Sequence, residues 1–119
     1  MKNLLLLSVC VLAYCLVAGC EKREPASLDQ RLAAGLAVMD QKEKNSLMVD
    51  LAKDAADAGD SRVVKQALGQ IFDTGRRNDT AEVCALKLAK AGKRAEGLEV
   101  ARMIMSQSQQ DSVLSKLAK

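Results

Sequence analysis

The chain has 119 residues, with 18 Lys and Arg, 15 Asp and Glu, and a formal net charge of +3 at pH 7. So small an excess of positive charge argues against a dedicated nucleic-acid binder. The sequence contains no histidine, so it lacks the usual general base near neutral pH and the commonest metal ligand. We therefore expect a protein that is not an enzyme and that holds neither a metal ion nor a cofactor.

The chain opens with a short apolar segment. Lys2 is followed by apolar residues from position 4 to position 17, interrupted only by Ser8 and Tyr14. A positive start, an apolar run and small residues at its end are the features of a secretory signal peptide. The run is shorter than the roughly 20 apolar residues that a permanent membrane-spanning helix needs. The alternatives are an uncleaved membrane anchor and plain secretion.

The run ends at Val17, Ala18, Gly19 and Cys20, which resemble the lipobox of bacterial lipoproteins. The resemblance implies that a signal peptidase recognises Val17, Ala18 and Gly19 and cuts before Cys20. It also implies a diacylglycerol on the Cys20 thiol and an acyl chain on the new amine, and such multiple chains anchor a protein stably to a membrane. In this family an Asp at the next position favours the inner membrane. Glu21 therefore favours the outer membrane, with the protein facing the periplasm.

These features predict three parts: residues 1–19 as a lipoprotein signal peptide, 20–26 as the lipidated N-terminus and a short linker, and 27–119 as one helical-repeat domain. About 100 residues remain after cleavage, which suffices for one small domain. The mature chain then keeps only Cys84 as a free cysteine, so no internal disulfide is expected.

The remaining sequence predicts helices throughout and no strand, because its apolar residues recur at intervals of three and four. The predicted helices span 28–40, 46–58, 61–73, 79–91, 94–106 and 111–118. The predicted start signals are Ser27 with Gln30, Asp79 with Glu82, and Asp60 or Ser61, and the predicted stop signals are Gly59 and Gly92.

An internal repeat becomes visible when the sequence is compared with itself at an offset of 33 residues. The aligned sets are Asn45, Asn78 and Asp111; Leu51, Cys84 and Leu117; Ala52, Ala85 and Ala118; and the turn glycines Gly59 and Gly92. Two full units with a half-unit at each end account for residues 27–119. Each unit is predicted to be a pair of antiparallel helices.

A helix pair repeated at this period resembles the tetratricopeptide family, whose unit has 34 residues. The matching positions are the aligned Leu-Ala, Cys-Ala and Leu-Ala pairs, the turn glycines and Gly97. The family's early aromatic residue and its late proline are absent. The resemblance implies an all-α fold in the form of a short α-solenoid, and the alternative is a closed helical bundle.

The candidate reactive and charged residues favour structural roles. Cys84 shares its repeat position with two leucines, which predicts a core thiol. Three acidic residues line one helix as a solvated face, namely Asp50, Asp54 and Asp57. The equivalent helix of the next unit is basic, with a candidate interaction patch formed by Lys87, Lys90, Lys93 and Arg94. We expect the acidic and basic helices to pair between units, with Asp54 and Lys87 at the same repeat position.

Four methionines fall on or beside the apolar stripes: Met39, Met48, Met103 and Met105. Core packing is the first interpretation of all four, and a groove that accepts a partner helix is the alternative.

The leading functional hypothesis is a non-enzymatic, lipid-anchored periplasmic module that recruits an unidentified protein partner. The rival hypothesis is an envelope lipoprotein of a mobile element, acting by surface exclusion or by perturbing the envelope.

Overall fold

The computed structural model describes residues 26–119. Within that range the chain forms six helices and no strand, which confirms the prediction of an all-α fold. The helices are α1 (Leu28–Leu36), α2 (Gln41–Asp57), α3 (Ser61–Gly69), α4 (Thr74–Lys90), α5 (Arg94–Ala101) and α6 (Gln107–Ala118).

Side-chain caps begin four of the six helices. Ser27 and Gln30 form the predicted reciprocal capping box at the start of α1. Asp60, one of the two predicted candidates, accepts a hydrogen bond from the Val63 amide at the start of α3. Each cap satisfies a backbone N–H that the helix itself leaves without a partner.

The long helices α2 and α4 begin five residues earlier than predicted. Asp40 caps α2, and Asp73, not Asp79, caps α4. The first turn of each helix is polar and carries no apolar stripe, so the apolar pattern began only one turn later. The predicted cap at Asp79 is therefore wrong, because this residue lies inside α4.

The short helices end earlier than predicted. α3 ends at Gly69 and α5 at Ala101, and each then closes with amide bonds to carbonyls three residues back. Ile71 and Ile104 continue the apolar pattern, but they are buried from within the connecting loops. Their burial extended the apparent period of the helix beyond its real end.

Gly59 and Gly92 close the long helices, as predicted. Their φ angles are +75° and +84°, the left-handed region that glycine occupies without steric cost. After each glycine the next amide bonds back across the turn, from Asp60 to the Ala55 carbonyl and from Lys93 to the Leu88 carbonyl, both at 2.9 Å. This is the Schellman closure, and it fixes the tight turn inside each helix pair.

The helices pack in two layers, the long helices α2, α4 and α6 in one and the short helices α1, α3 and α5 in the other. Each helix contacts only the next helix and the next but one within residues 26–119. The core between the layers consists of small and aliphatic residues, including Met48, Ala52, Val64, Leu68 and Leu88.

The layers approach closely where glycine faces the opposite helix. A Cβ atom on Gly97 of α5 would lie 2.8 Å from the Ala85 carbonyl oxygen of α4. This backbone contact leaves no room for a side chain. The small residue noted at position 97 in the sequence therefore sets the separation of α4 and α5.

The substitution Gly92→Ala should lower the free energy of unfolding by about 1 to 2 kcal/mol, because a left-handed backbone is costly for any residue with a Cβ. Gly69→Ala is the matched control, since Gly69 ends α3 in open space with no positive φ. Chemical denaturation measures both. Equal effects at the two positions would contradict the assignment.

Candidate functional site

The predicted lipid site lies outside the described residues. Val17, Ala18, Gly19 and Cys20 all belong to the segment 1–25, so cleavage and acylation stay predictions. None of the six helices within residues 26–119 combines the length and the apolar character needed to cross a membrane.

The basic patch lies at one edge of the molecule, which we call the turn edge: the turns 58–60 and 91–93 with the helix ends that flank them. Lys87 is the paired member, because its Nζ donates to Asp57 of α2 at 2.7 Å. Lys90, Lys93 and Arg94 are exposed and form no ion pair among the described residues. Three uncompensated cations therefore remain at this edge.

The acidic residues of α2 are divided among different partners. Asp54 pairs with Arg31 of α1 at 2.8 Å, and Asp57 pairs with Lys87. The expected pairing of the acidic and basic helices therefore occurs, but through Asp57 and not Asp54. Asp50 is exposed, and no group of three residues suited to a metal ion occurs in the described part of the chain.

Ion pairs also connect the short helices. Arg62 of α3 donates to Asp29 of α1 at 2.6 Å, and this hydrogen bond raises the pKa of Arg62. Lys65 of α3 donates to Glu99 of α5 at 2.7 Å, which lowers the pKa of Glu99. Both pairs are exposed, so they set the register of neighbouring helices and add little to stability.

Cys84 lies in the core of α4. Its side chain is fully buried, and burial raises the pKa of its thiol to about 12. A nucleophilic or redox cysteine needs an accessible thiolate, which this environment disfavours.

The methionines separate into core and surface. Met48 is fully buried, as predicted, and Met103 packs against the core. Met39 and Met105, in contrast, are 97% and 67% exposed, so the core interpretation is wrong for these two. The explanation is their position, because each lies in a loop just before a helix cap and not on a helix.

Phe72 occupies the same repeat position as Met39 and Met105 and is 65% exposed. Each of the three directly precedes the N-cap of a long helix, at Asp40, Asp73 or Ser106. We call Met39, Phe72 and Met105 the apolar ladder. The loops that carry them, 37–40, 70–73 and 102–106, form the edge opposite the turn edge, here called the loop edge.

Buried asparagines hold two ladder residues in place. The Phe72 amide donates to Asn45 Oδ1 at 3.1 Å, and the Met105 amide donates to Asn78 Oδ1 at 2.9 Å. Asn45 and Asn78 occupy the same position in α2 and α4, and both are at least nine-tenths buried. We call this repeated hydrogen bond the asparagine clasp. It fixes the loop backbone while the apolar side chain faces outward.

A shallow cleft of about 270 Å³ lies between α1 and α2. Its walls are mostly apolar, with Ala34, Val38, Leu47 and Leu51 among them, and Arg31 and Asp50 add charge. Val38 also adjoins Met39 in the chain, so the cleft borders the first member of the ladder.

The ladder and the clasp were missed by sequence reasoning. A signal was present for both, since Met39, Phe72 and Met105 recur at the same 33-residue interval as the aligned asparagines. Comparison of the chain with protein-family models, with curated proteins and with solved structures gives no match.

Cys84 should react with iodoacetamide only through unfolding, because its thiol is buried and its pKa lies near 12. The free energy of unfolding should also fall above about pH 9, since the unfolded chain then loses a thiol proton that the folded chain retains. Labelling at pH 8 with peptide mapping, with and without denaturant, measures accessibility. Rapid labelling of Cys84 in the folded chain would count against this assignment.

The substitution Asn78→Ala should destabilise the fold by about 1 to 3 kcal/mol, because it leaves the Met105 amide without its acceptor. Asn78→Asp keeps an acceptor oxygen at the same place and should cost less. Denaturant unfolding of both variants measures the difference. If alanine and aspartate have equal effects, the hydrogen bond does not stabilise the loop.

Proposed function

We propose that this chain is a non-enzymatic, lipid-anchored adaptor of the bacterial cell envelope, held at the periplasmic face of the outer membrane by acyl chains on Cys20. The observation that carries the anchor is the sequence Val17-Ala18-Gly19-Cys20 at the end of a lysine-started apolar run. Glu21 favours the outer membrane by resemblance to the lipoprotein family. The adaptor role draws its support from exposed apolar residues repeated along one edge.

We also propose that the helix pairs form a short α-solenoid of the tetratricopeptide-like kind. Contacts limited to the next helix and the next but one support this arrangement over a closed bundle. A closed bundle would bring the first helices against the last, and among the six described helices α1 contacts neither α5 nor α6. A solenoid offers extended edges on which a partner protein can bind.

The basic patch fits a position near an anionic surface. The chain enters α1 at the turn edge, where Asp29 pairs with Arg62 beside the 58–60 turn. Lys90, Lys93 and Arg94 lie at that same edge. A tether from Cys20 would therefore place these cations close to lipid headgroups, where each basic side chain adds about 1 kcal/mol of attraction.

The substitution Cys20→Ala should abolish acylation and release the chain from the membrane fraction of a diderm host. The native chain should show the intact mass expected for cleavage before residue 20 plus acyl chains, which mass spectrometry measures. Cys15→Ala is the matched control, because this cysteine belongs to the predicted signal peptide and should leave processing unchanged. An uncleaved native chain would make residues 4–19 a retained anchor, and a cleaved chain without lipid would remove the anchor altogether.

Cross-linking in cells at native expression tests the adaptor role separately. Defined complexes with another envelope protein are the expected result, because an adaptor acts through its partner. A chain that stays uncomplexed contradicts the adaptor role, whatever the state of Cys20.

A further inference from the structure

The apolar ladder is not a scatter of isolated surface residues. Single exposed apolar residues are normal in proteins, whereas aligned ones mark interaction surfaces. Met39, Phe72 and Met105 are 97%, 65% and 67% exposed, and they recur at a constant interval of 33 residues. The repeat therefore presents one large apolar side chain per unit along the loop edge.

The ladder is also held in a fixed arrangement. The asparagine clasps at 3.1 and 2.9 Å fix the backbone of Phe72 and Met105. In addition, the Arg77 guanidinium contacts the Met105 sulfur. A surface that is already ordered loses less conformational entropy when a partner binds.

The spacing of the ladder indicates the form of its partner. Successive long helices are in contact, and packed helices lie about 8 to 10 Å apart, so neighbouring members of the ladder have a similar separation. Seven residues of an α-helix advance about 10.5 Å and return to nearly the same face. Three residues of a strand advance about 10 Å, but the third residue points to the opposite face. A helix therefore matches the ladder, and a strand does not.

The charge of the loop edge indicates the flanks of that helix. The loops and first helical turns at this edge carry five cations, Lys42, Lys44, Arg76, Arg77 and Arg102, against three carboxylates, Asp40, Glu43 and Asp73. The carboxylates of Asp40 and Asp73 are occupied as helix caps. Acidic residues beside the apolar stripe of the partner would complement this excess positive charge.

We propose that the apolar ladder binds an amphipathic helix of a partner protein, with apolar residues seven positions apart and carboxylates flanking them. The proposal rests on the adaptor part of the proposed function and is independent of the lipid anchor. Phe72, with its clasped backbone and its two ladder neighbours, forms the centre of the contact. Met39 and Met105 adapt to the partner's side chains on either side, since thioethers are flexible and polarisable.

The test uses a fluorescent 18-residue helical peptide with leucines at positions 2, 9 and 16 and glutamates beside them. The protein is the chain from residue 20 onward with Cys20→Ser, so that no acyl chain is attached, and all six helices pack together within it. A control peptide of identical composition carries its leucines on different faces of the helix. Fluorescence anisotropy should show saturable binding of the first peptide and at least tenfold weaker binding of the second.

Phe72→Ser should weaken binding of the first peptide about tenfold or more, because it removes the largest apolar contact of the ladder. Val83→Ser is the matched control, since Val83 is an exposed apolar residue within α4 and away from the loops. Thermal unfolding followed by circular dichroism should show both variants folded, because both side chains lie at the surface. Equal binding of the two peptides, or unchanged binding by Phe72→Ser, would overturn the proposal.

Two further measurements distinguish other occupants of the ladder. Sedimentation velocity without peptide would reveal a dimer that Phe72→Ser dissociates, and vesicles of phosphatidylglycerol and phosphatidylethanolamine would reveal a membrane contact that the same variant loses. Either result overturns the helix as occupant. If complexes still form in cells while the peptide fails to bind, the assignment of the ladder fails and the adaptor role survives.

Discussion

The asparagine clasp is the interaction on which the arrangement of the repeats depends. In each case the side chain of a long helix accepts the amide that directly precedes the cap of the next long helix. One hydrogen bond thus joins two units and sets where the second begins. Because both asparagines are buried, an unmade bond would leave a desolvated amide, which is costlier than the bond itself is favourable. The clasp therefore selects one position for the loop among many that the aliphatic core alone would permit.

The core can be thin because the helices approach so closely. Alanine dominates the facing surfaces of the long helices, and Gly97 admits the α4 backbone directly. Small side chains lose little rotamer entropy on burial, but each also removes little apolar area from water. Polar contacts between units, such as the clasp and the pair of Lys87 with Asp57, supply the specificity that such uniform packing lacks. The same uniformity explains why capping and turn residues have a large share in defining the fold.

Much of this fold could be predicted from local sequence signals, and what was missed depended on distant ones. The repeat, the turn glycines and the cap at Ser27 are readable because each signal lies within a few residues of its effect. The starts of α2 and α4 were missed because their first turns are polar, and burial alone cannot mark an exposed helical turn. The clasp joins residues 27 positions apart, which no local pattern reveals. The outward direction of Met39 and Met105 follows from their loops, whereas their composition had suggested the core.

The two edges of the molecule have different chemistry, and the path of the chain gives this difference a consequence. The chain enters α1 at the turn edge, beside the basic patch, and the ladder lies at the other end of the helices. A linker of seven residues spans at most about 25 Å. On the proposed anchor at Cys20, the turn edge would therefore stay near the membrane, and the loop edge would point away from it. A partner helix would then approach from the aqueous side, where its acidic flanks remain hydrated until they meet Arg76 and Arg77. Anchor and docking surface would be separated by the length of one helix, so neither would obstruct the other.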